Sequence, residues 1–576
     1  MADQRRGRGA SGRLSSSRGR QGRTYEDGLR SLGNQIQEPK RASEAGLLEL
    51  GEQINKSKKG RARWKKWTLI SLSVLLVAVA AGAGYVYYLT RLNRVNVNGL
   101  VGTLTTGQEA GTENILMVGS TSRCALAKQN IAYGICSEGV NGVNSDVIMI
   151  LHADPSHHKL ALLSVPRDLF IPNARSNGAN KVDAGLFQGI SQVVAAVEED
   201  FGIPIQHAVS LNFDQFANVV DALGGINMKF PESLFDRESG LNVQAASCVH
   251  LNGTQALEVV RARHLQYDAP GTISHDAAYW PQETQSDLAR IRRDHEFLRV
   301  LATAVAKRGL DNPVTDLDLI GSLKSDLTFD QSWAITDMAN LVLDFHSVNI
   351  NGVPQLTLPV SLVVDPNGAS GDLIYNGGNY GEVEFPSLSG DLSAIQQALG
   401  VGPNIDTMTG ETLPSPANVS VSVENGSGVT NQASATSYSL AALGFHVAGV
   451  GDVSSTGDVS ETVVYYGSRS ASTVAAAEAV LHSLSGSAVM AYNPNQVTDG
   501  AQVTLVTGSQ FGINAPATTN TSSAGTTGST GSSAGTATTS SAIGAPSSST
   551  SNLEPWDPRA CAAGATPTSP VPNAIG

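Results

Sequence analysis

The chain reads as an α/β protein: a sandwich on a mixed sheet, one transmembrane helix before it, and a second, small α/β domain after it. Three observations predict this. Residues 112–345 alternate strand-like and helix-like segments. Within them, 146–165 has the pattern of a hairpin, which makes the sheet mixed rather than wholly parallel. Upstream, residues 67–89 form a run of 23 without a charge.

Taken in order, residues 1–66 hold 17 Lys and Arg against 7 Asp and Glu, a net of +10, within a chain whose total is −13. Such asymmetry places the two parts in different surroundings. Residues 1–55 are rich in Arg, Gly and Ser and are expected to be disordered. This arm reads as a solvated topology signal, and nucleic acid is not an expected partner. The run 67–89, WTLISLSVLLVAVAAGAGYVYYL, makes about 34 Å of helix, enough to span a hydrocarbon core of about 30 Å. Trp64 and Trp67 at one end and Tyr85, Tyr87 and Tyr88 at the other resemble interfacial belts. Lys56, Lys58, Lys59, Arg61, Arg63, Lys65 and Lys66 precede it, against Arg91 and Arg94 after it. The N-terminus is therefore expected in the cytoplasm, and everything beyond a linker at 90–111 outside a cell membrane crossed once.

In 112–345 the strand candidates are Ile115–Gly119, Asp146–Ala153, Leu160–Val165 and Ala208–Phe213. Helices are expected over Gln188–Phe201, ending at Gly202, and Phe216–Leu223, capped by Asp214 and stopped by Gly224-Gly225. Gly253–Arg263 and Thr284–Lys307 complete the set. Residues 346–416 are rich in Gly and Pro with weak periodicity, and read as an extension and linker. Residues 417–510 read as the second domain: a strand at Val419–Val423, a turn at Asn425–Gly428, a helix over Ala433–Leu443, and strands at Thr462–Tyr466 and Val503–Val506. From 511 onward Ser, Thr, Ala and Gly dominate, so 511–576 reads as a flexible tail.

Four cysteines suit an exterior location. Cys124 and Cys136 lie 12 apart around a polar loop, and a disulfide there would stabilise by about 3 kcal/mol. Cys248 and Cys561 are too distant in sequence to be paired by reading alone. No C-x-x-C or H-x-x-x-H spacing supports zinc.

The chemistry concentrates in SDVIMILHADPSHHKLALLSVPRD, residues 145–168. A hairpin brings Asp146, entering one strand, beside Arg167 and Asp168, leaving the next. An acid and an Arg-Asp pair would meet at one sheet edge, as suits phosphate with or without a metal. Arg261 and Arg263 sit at a helix end, and Arg290, Arg292 and Arg293 on the long helix, where Asp287, Arg290 and Asp294 follow i, i+3, i+7 spacing. Alone these read as local helix ion pairs. Converging, they would suit pyrophosphate, because guanidinium forks bind its oxygens bidentately and stay charged. Lys181, in a loop before a helix, is placed to reach the same phosphate. His152, His157, His158 and His264 have no triad or metal spacing and read as structural or solvated. No G-x-S-x-G, P-loop or G-x-G-x-x-G context is present.

The segments NILMVGSTSR (114–123), NSDVIMILHADP (144–155), LLSVPRDLFIP (162–172), NKVDAGL (180–186), FGIPIQHAVSLNFDQFANVVDALGGI (201–226), LNGTQALEVVRARH (251–264) and SDLARIRRDHEFLRVL (286–301) occur in this order. Together they resemble the LytR-CpsA-Psr (LCP) family of cell-wall phosphotransferases. Residues 417–510 resemble the LytR C-terminal domain that often follows. The resemblance implies an LCP-like αβα sandwich. It also implies transfer of a glycopolymer from an undecaprenyl-pyrophosphate carrier to peptidoglycan, usually to the 6-hydroxyl of N-acetylmuramic acid. Carried over by motif, Arg123, Arg167, Arg261, Arg263, Arg290 and Arg293 become the pyrophosphate clamp. Asp146 becomes a magnesium ligand, and Asp168 and Lys181 organise the same edge.

Two departures stand out. The family's glycine-serine-aspartate is here Gly119-Ser120-Thr121, and its arginine before Ser-Asp is Asn144. Thr121 then supplies a hydroxyl to the Mg2+ beside Asp146, a weaker set than two carboxylates. The resemblance places the lipid in an apolar channel and the acceptor hydroxyl near Asp168 or Asp146 as base. The residues leave two other readings: a non-enzymatic anchored wall sensor, and a polyprenyl-pyrophosphate hydrolase.

Overall fold

The computed structural model describes residues 93–95, most of 111–362, then 372–454, 461–514 and 553–569. Within 111–362 it leaves out 123, 125–135, 139–141, 273, 275, 285, 309–327 and 346. The basic arm, the apolar run 67–89 and Arg123 lie outside the described residues.

The strands β1 (Asn93–Val95), β2 (Glu113–Ser120), β3 (Ser145–Asp154) and β4 (Lys159–Ser164) open the first domain. The hairpin β5 (Phe170–Arg175) and β6 (Gly178–Lys181) follows. Helix α1 (Ile190–Phe201), strand β7 (His207–Leu211) and helix α2 (Phe213–Ala222) come next, then β8 (Ile226–Phe230) and β9 (Ala246–Leu251). Helices α3 (Gly253–Arg261) and α4 (Ser286–Arg308) precede β10 (Thr328–Asp330), α5 (Ile335–Phe345), β11 (Gln355–Thr357), β12 (Glu384–Pro386) and α6 (Leu388–Leu399).

Seven of these strands make one mixed sheet, ordered β1-β10-β7-β2-β3-β4-β11. The expected hairpin is its centre. β3 pairs antiparallel with both β2 and β4, and Asp154 faces Lys159 across the turn. Strand periodicity splits the side chains between two faces. Leu116, Val118, Ile148, Ile150 and Leu163 pack against Val193, Val194 and Val197 of α1 and Ala394, Ile395 and Ala398 of α6. On the other face Met117, Val147 and Met149 look towards Phe213 and Phe216 of α2, Leu257 of α3 and Phe297 of α4. The result is an α/β sandwich with helices on both faces.

Local signals set the helix ends. Asn212, not Asp214, caps α2: its side chain accepts from the Gln215 amide while the Gln215 side chain accepts from the Asn212 amide. That reciprocal box starts the helix at Phe213, three residues before the sequence pattern suggests. Asn252 and Gln255 repeat the device on α3. Gly253 opens α3 where a Cβ would lie 2.1 Å from the Ala217 carbonyl oxygen, so only glycine lets α2 and α3 approach so closely.

Three segments depart from the sequence reading. Residues 346–416 are not a linker: β11 is the edge strand beside β4, and α6 covers the core. Their strands are two or three residues long, too short to show a period. Nor is the tail flexible over its described residues. Residues 553–569 dock back as a strap, with β18 (Arg559–Ala560) pairing to β8 and the Trp556 ring stacked 3.9 Å from Tyr267. Asp557, fully buried, accepts from Arg292 at 2.6 Å. Cys561, unpaired in the reading, is bonded to Cys248 across 313 residues, while Cys124 and Cys136 pair as expected.

The second domain carries a five-stranded mixed sheet built from β13 (Ser420–Asn425), β14 (His446–Asp452), β15 (Thr462–Tyr466), β16 (Ala488–Tyr492) and β17 (Val503–Thr507). Its helices are α7 (Gln432–Ala442) and α8 (Ala471–Leu481). The sequence reading lacks β14, whose glycines break the alternation, and α8 and β16, whose mainly apolar runs show no clear period. This sheet joins the first domain's core. Val463, Val489 and Ala491 pack in the same cluster as α1, and the Tyr466 hydroxyl donates to the Glu199 carbonyl at 3.2 Å. Thr407 donates to the Gly202 carbonyl at 2.5 Å.

Because the Cys248–Cys561 bond closes a loop of 313 residues, its loss should cost about 5–6 kcal/mol in the chain-entropy picture. Cys561→Ser should therefore lower the urea midpoint of the described domain pair well beyond the effect of Cys124→Ser. Equal effects of the two substitutions would contradict a strap that braces the fold.

Candidate active site

Strand β3 begins, β4 ends and β6 ends at one edge of the sheet, and α4 starts beside them. Asp146, Arg167, Asp168 and Lys181 therefore meet there, as the hairpin pattern predicts. Arg167 is the hub. Its Nη1 donates to Asp146 in a short ion pair, and its Nε lies 3.3 Å from Asp168 and 3.4 Å from Asp287. Lys181 Nζ donates to Asp168 at 2.9 Å, and Arg263 Nη2 reaches the same carboxylate at 3.5 Å. From α4, Arg290 pairs with Asp287 at 3.0 Å and approaches Asp146 at 3.8 Å and Asp294 at 3.7 Å. Arg290 is only 2% exposed, so its charge is tolerable only with these partners.

Not every expected clamp residue joins. Arg293 is a correction: it is 1% exposed and turned to Glu283, the Ala262 carbonyl at 2.6 Å and Asp557 at 3.6 Å, which ties α4 to the strap. Arg261 stands apart, its guanidinium 4.6 Å from the Phe213 ring centroid at the rim of an apolar pocket. Thr121 is the second correction. Its hydroxyl donates to the Asn144 carbonyl at 3.1 Å and accepts from the Asn144 amide at 3.0 Å, so it is occupied in pinning β2 to β3. The two departures from the family pattern are thus each other's partners.

Two acids, Asp183 and Glu384, were missed, and Asp294 entered the sequence reading only as a member of a helix face. Asn144 Nδ2 donates to Asp183 at 3.2 Å, and burial pushes this carboxyl up to about 7, with Arg167 opposing and Asp168 adding to the rise. Burial likewise raises Asp294 to about 8 against Arg290 and Arg293. Glu384, at the start of β12, is raised to about 8 by burial, with Asp287 and Asp168 adding. It reaches the site because its amide donates to the Asp168 carbonyl at 3.0 Å. Asp168 behaves oppositely: burial opposes its charge, but Arg167, Lys181 and Arg263 outweigh this and hold it below the usual range. Asp183 was readable in NKVDAGL, whereas Glu384 lay in the stretch read as a linker.

The cluster therefore sets six carboxyls against four cations. Several of its groups have spare capacity: Arg263 Nε, Arg290 Nε and both Asp287 oxygens are buried and make no hydrogen bond among the described residues. Beside it, Met117, Val147, Met149, Phe213, Phe216 and Phe297 line an apolar pocket between sheet and helices, with Asp146, Asp294 and Arg261 at its wall.

The histidines bear out a structural role. His152 meets Asn114 at 2.7 Å, and His264 meets Glu238 at 3.2 Å. His295, lowered by burial to about 4, meets Ser164 at 2.7 Å within the core.

A profile of the LytR_cpsA_psr family matches residues 87–385, and one described as LytR cell envelope-related transcriptional attenuator matches 418–511. The chain belongs to the LytR-CpsA-Psr family. It is similar to the probable cell wall biosynthesis protein LcpB of Corynebacterium glutamicum, 29% identical over 301 residues. That match spans 51% of this chain and 66% of the relative. It is also similar to the polyisoprenyl-teichoic acid–peptidoglycan teichoic acid transferase TagU of Halalkalibacterium halodurans, 26% identical over 38% of this chain and 70% of that one. Among solved structures it resembles the LytR-Csp2A-Psr enzyme from Actinomyces oris, at 25% identity and a TM-score of 0.38 over 49% of this chain and 90% of that chain.

Raised carboxyls fix a sign for the pH dependence. Asp294 and Glu384 hold protons in the folded state that an unfolded chain releases above about pH 4. The stability they contribute is complete below that pH and is lost as pH rises through about 8. Denaturant titrations across this range should show falling stability, and Asp294→Asn should flatten the slope. An unchanged slope in that variant would place the titration elsewhere.

Proposed function

We propose that the chain transfers a glycopolymer, with its phosphate, from a polyprenyl-pyrophosphate carrier to a peptidoglycan hydroxyl. One observation carries this reading: a cation-acid cluster with unspent donors sits at the wall of an apolar pocket between sheet and helices. That juxtaposition suits an amphiphile with a charged joint. The polyprenyl chain enters the pocket, and the pyrophosphate meets Arg167 and Arg263, with Lys181 beside them, buried Arg290 behind them holding Asp146 and Asp287, and Arg261 at the rim.

In the transfer, the acceptor oxygen forms a bond to the glycan-linked phosphorus. The bond from that phosphorus to the bridging oxygen breaks, and the polyprenyl phosphate leaves. The arginines stabilise the charge that gathers on the leaving oxygens. The hydroxyl proton passes to a carboxylate. Asp168 is a poor acceptor because three cations hold its proton affinity down. Glu384 is better matched, because its proton affinity lies close to working pH.

Magnesium fits this edge through Asp146 and Asp183 rather than Thr121. The donor chemistry favours those two: Asp183 is a carboxyl raised to about 7 by burial, whose proton a bound cation would displace, whereas the Thr121 hydroxyl is already bonded in both directions. Bound Mg2+ would neutralise phosphate oxygens, and it commonly needs only one or two carboxylates besides phosphate and water. The apolar run 67–89 and the basic arm support a single membrane crossing with this domain outside the cell.

With a lipid-linked pyrophosphoryl glycan and peptidoglycan, Arg167→Ala and Arg263→Ala should each slow polyprenyl phosphate release by roughly 10²- to 10³-fold. Equal turnover by the parent and both variants would remove the clamp. Release without attachment of glycan to peptidoglycan would make the chain a hydrolase.

For the metal, calorimetric titration of Mg2+ in the presence of pyrophosphate separates the two ligand sets. Asp183→Asn should weaken binding by about tenfold or more, while Thr121→Val leaves it near the parent value. The reverse ranking would restore Thr121 as a ligand.

A further inference from the structure

A second cleft, of about 860 Å³, lies where β5, β6 and α1 of the first domain face the second-domain sheet. Its size falls within the range of small-molecule sites, about 300–1,000 Å³. It is separate from the pyrophosphate cluster: β5 forms one wall, and none of Asp146, Arg167, Lys181 or Arg263 lines it.

The lining specifies a class of ligand. Asn173, Gln192 and Gln496 bring side-chain amides, each of which both donates and accepts. Tyr375, Tyr465 and Tyr492 add part-exposed aromatic surface. Glu461 is 6% exposed and lines the cleft with Oε1 unpartnered. Asn173 Nδ2 is also without a hydrogen bond. Cationic recognition is weak here. Arg469 is spent on Glu199 at 2.8 Å and on the Tyr492 ring, whose centroid is 3.8 Å away. That leaves Arg175 against Glu424, Asp452 and Glu461. Glu424 and Asp452 are themselves occupied, accepting from Thr498 at 3.2 Å and Asn425 at 3.1 Å. An anionic polymer would meet excess acid, whereas sugar hydroxyls, which donate and accept, match amides and carboxyls, and ring faces match tyrosine.

We infer that this interdomain cleft binds an uncharged oligosaccharide, at a site distinct from the pyrophosphate cluster. The second domain then serves as one wall of a saccharide site rather than as an independent module. Glu461 presents its unpartnered Oε1 to the cleft, and burial, with Asp200 and Asp391 adding, holds its carboxyl well above the usual range.

The test uses the full-length chain and saturation-transfer NMR with calorimetry. Probes are chitotriose and arabinotriose as uncharged oligosaccharides, and poly(glycerol phosphate) as the anionic comparison. At least one uncharged probe should bind, and excess pyrophosphate should not displace it. Asn173→Ala and Gln496→Ala should each weaken it by about tenfold. Gln496 is exposed, so its replacement leaves folding intact. Arg167→Ala should bind the oligosaccharide like the parent, so failure of the transfer reading would leave this result standing. Binding of neither oligosaccharide, preference for the anionic polymer, competition by pyrophosphate, or parent-like binding by both cleft variants would overturn the inference.

Discussion

The guanidinium of Arg167 is the contact on which the site depends. It is the one cation that joins the entry of β3, through Asp146, to the exit of β4, through Asp168, and to the first turn of α4, through Asp287. Buried pairs of this kind are poor sources of stability, because desolvation consumes much of the Coulombic gain. Their value lies in geometry: a planar fork with several partners fixes two strands and a helix in one register. Lys181, Arg263 and Arg290 then share the same acids, so none of the four is placed alone.

An excess of carboxyls over cations would be costly in so buried a place if all were ionised. Burial shifts three of them towards the neutral form. Asp183, Asp294 and Glu384 are raised by burial, and each is flanked by acids that the arginines already claim. The arginines are therefore held in place without a ligand, yet not saturated, since Nε of Arg263 and of Arg290 remains unbonded.

Much of this was legible in the sequence where the signal was local. The hairpin from Asp146 to Asp168 follows from strand alternation and a turn, and it predicted which charges would meet. The helix periodicity of 286–301 placed Arg290 and Asp287 on a common face. Elsewhere the information is not local. Glu384 enters the site through one backbone hydrogen bond to Asp168, and β11 is three residues paired with a strand nearly two hundred positions earlier. No periodicity can announce such contacts. Thr121 and Asn144 were each visible as departures, but their mutual bonding depends on register between β2 and β3. Arg293 carried the family motif yet points away, because the acids it meets are Glu283, just before α4, and Asp557 of the folded tail.

That last residue shows how the tail and the site are joined. α4 presents Arg290 to the acids of the sheet edge and Arg293 to Asp557 of the strap. Both arginines are nearly inaccessible to solvent, so neither can exchange its carboxylate partner for water. Moving the helix along its axis would break both sets together. The strap is in turn fixed by β18 against β8 and by the Cys248–Cys561 bond. A low-complexity stretch therefore separates the second domain from a segment that returns to brace the helix carrying Asp287 and Arg290. Such an arrangement makes the position of the arginine cluster depend on the strap as well as on the first domain's own sheet and helices.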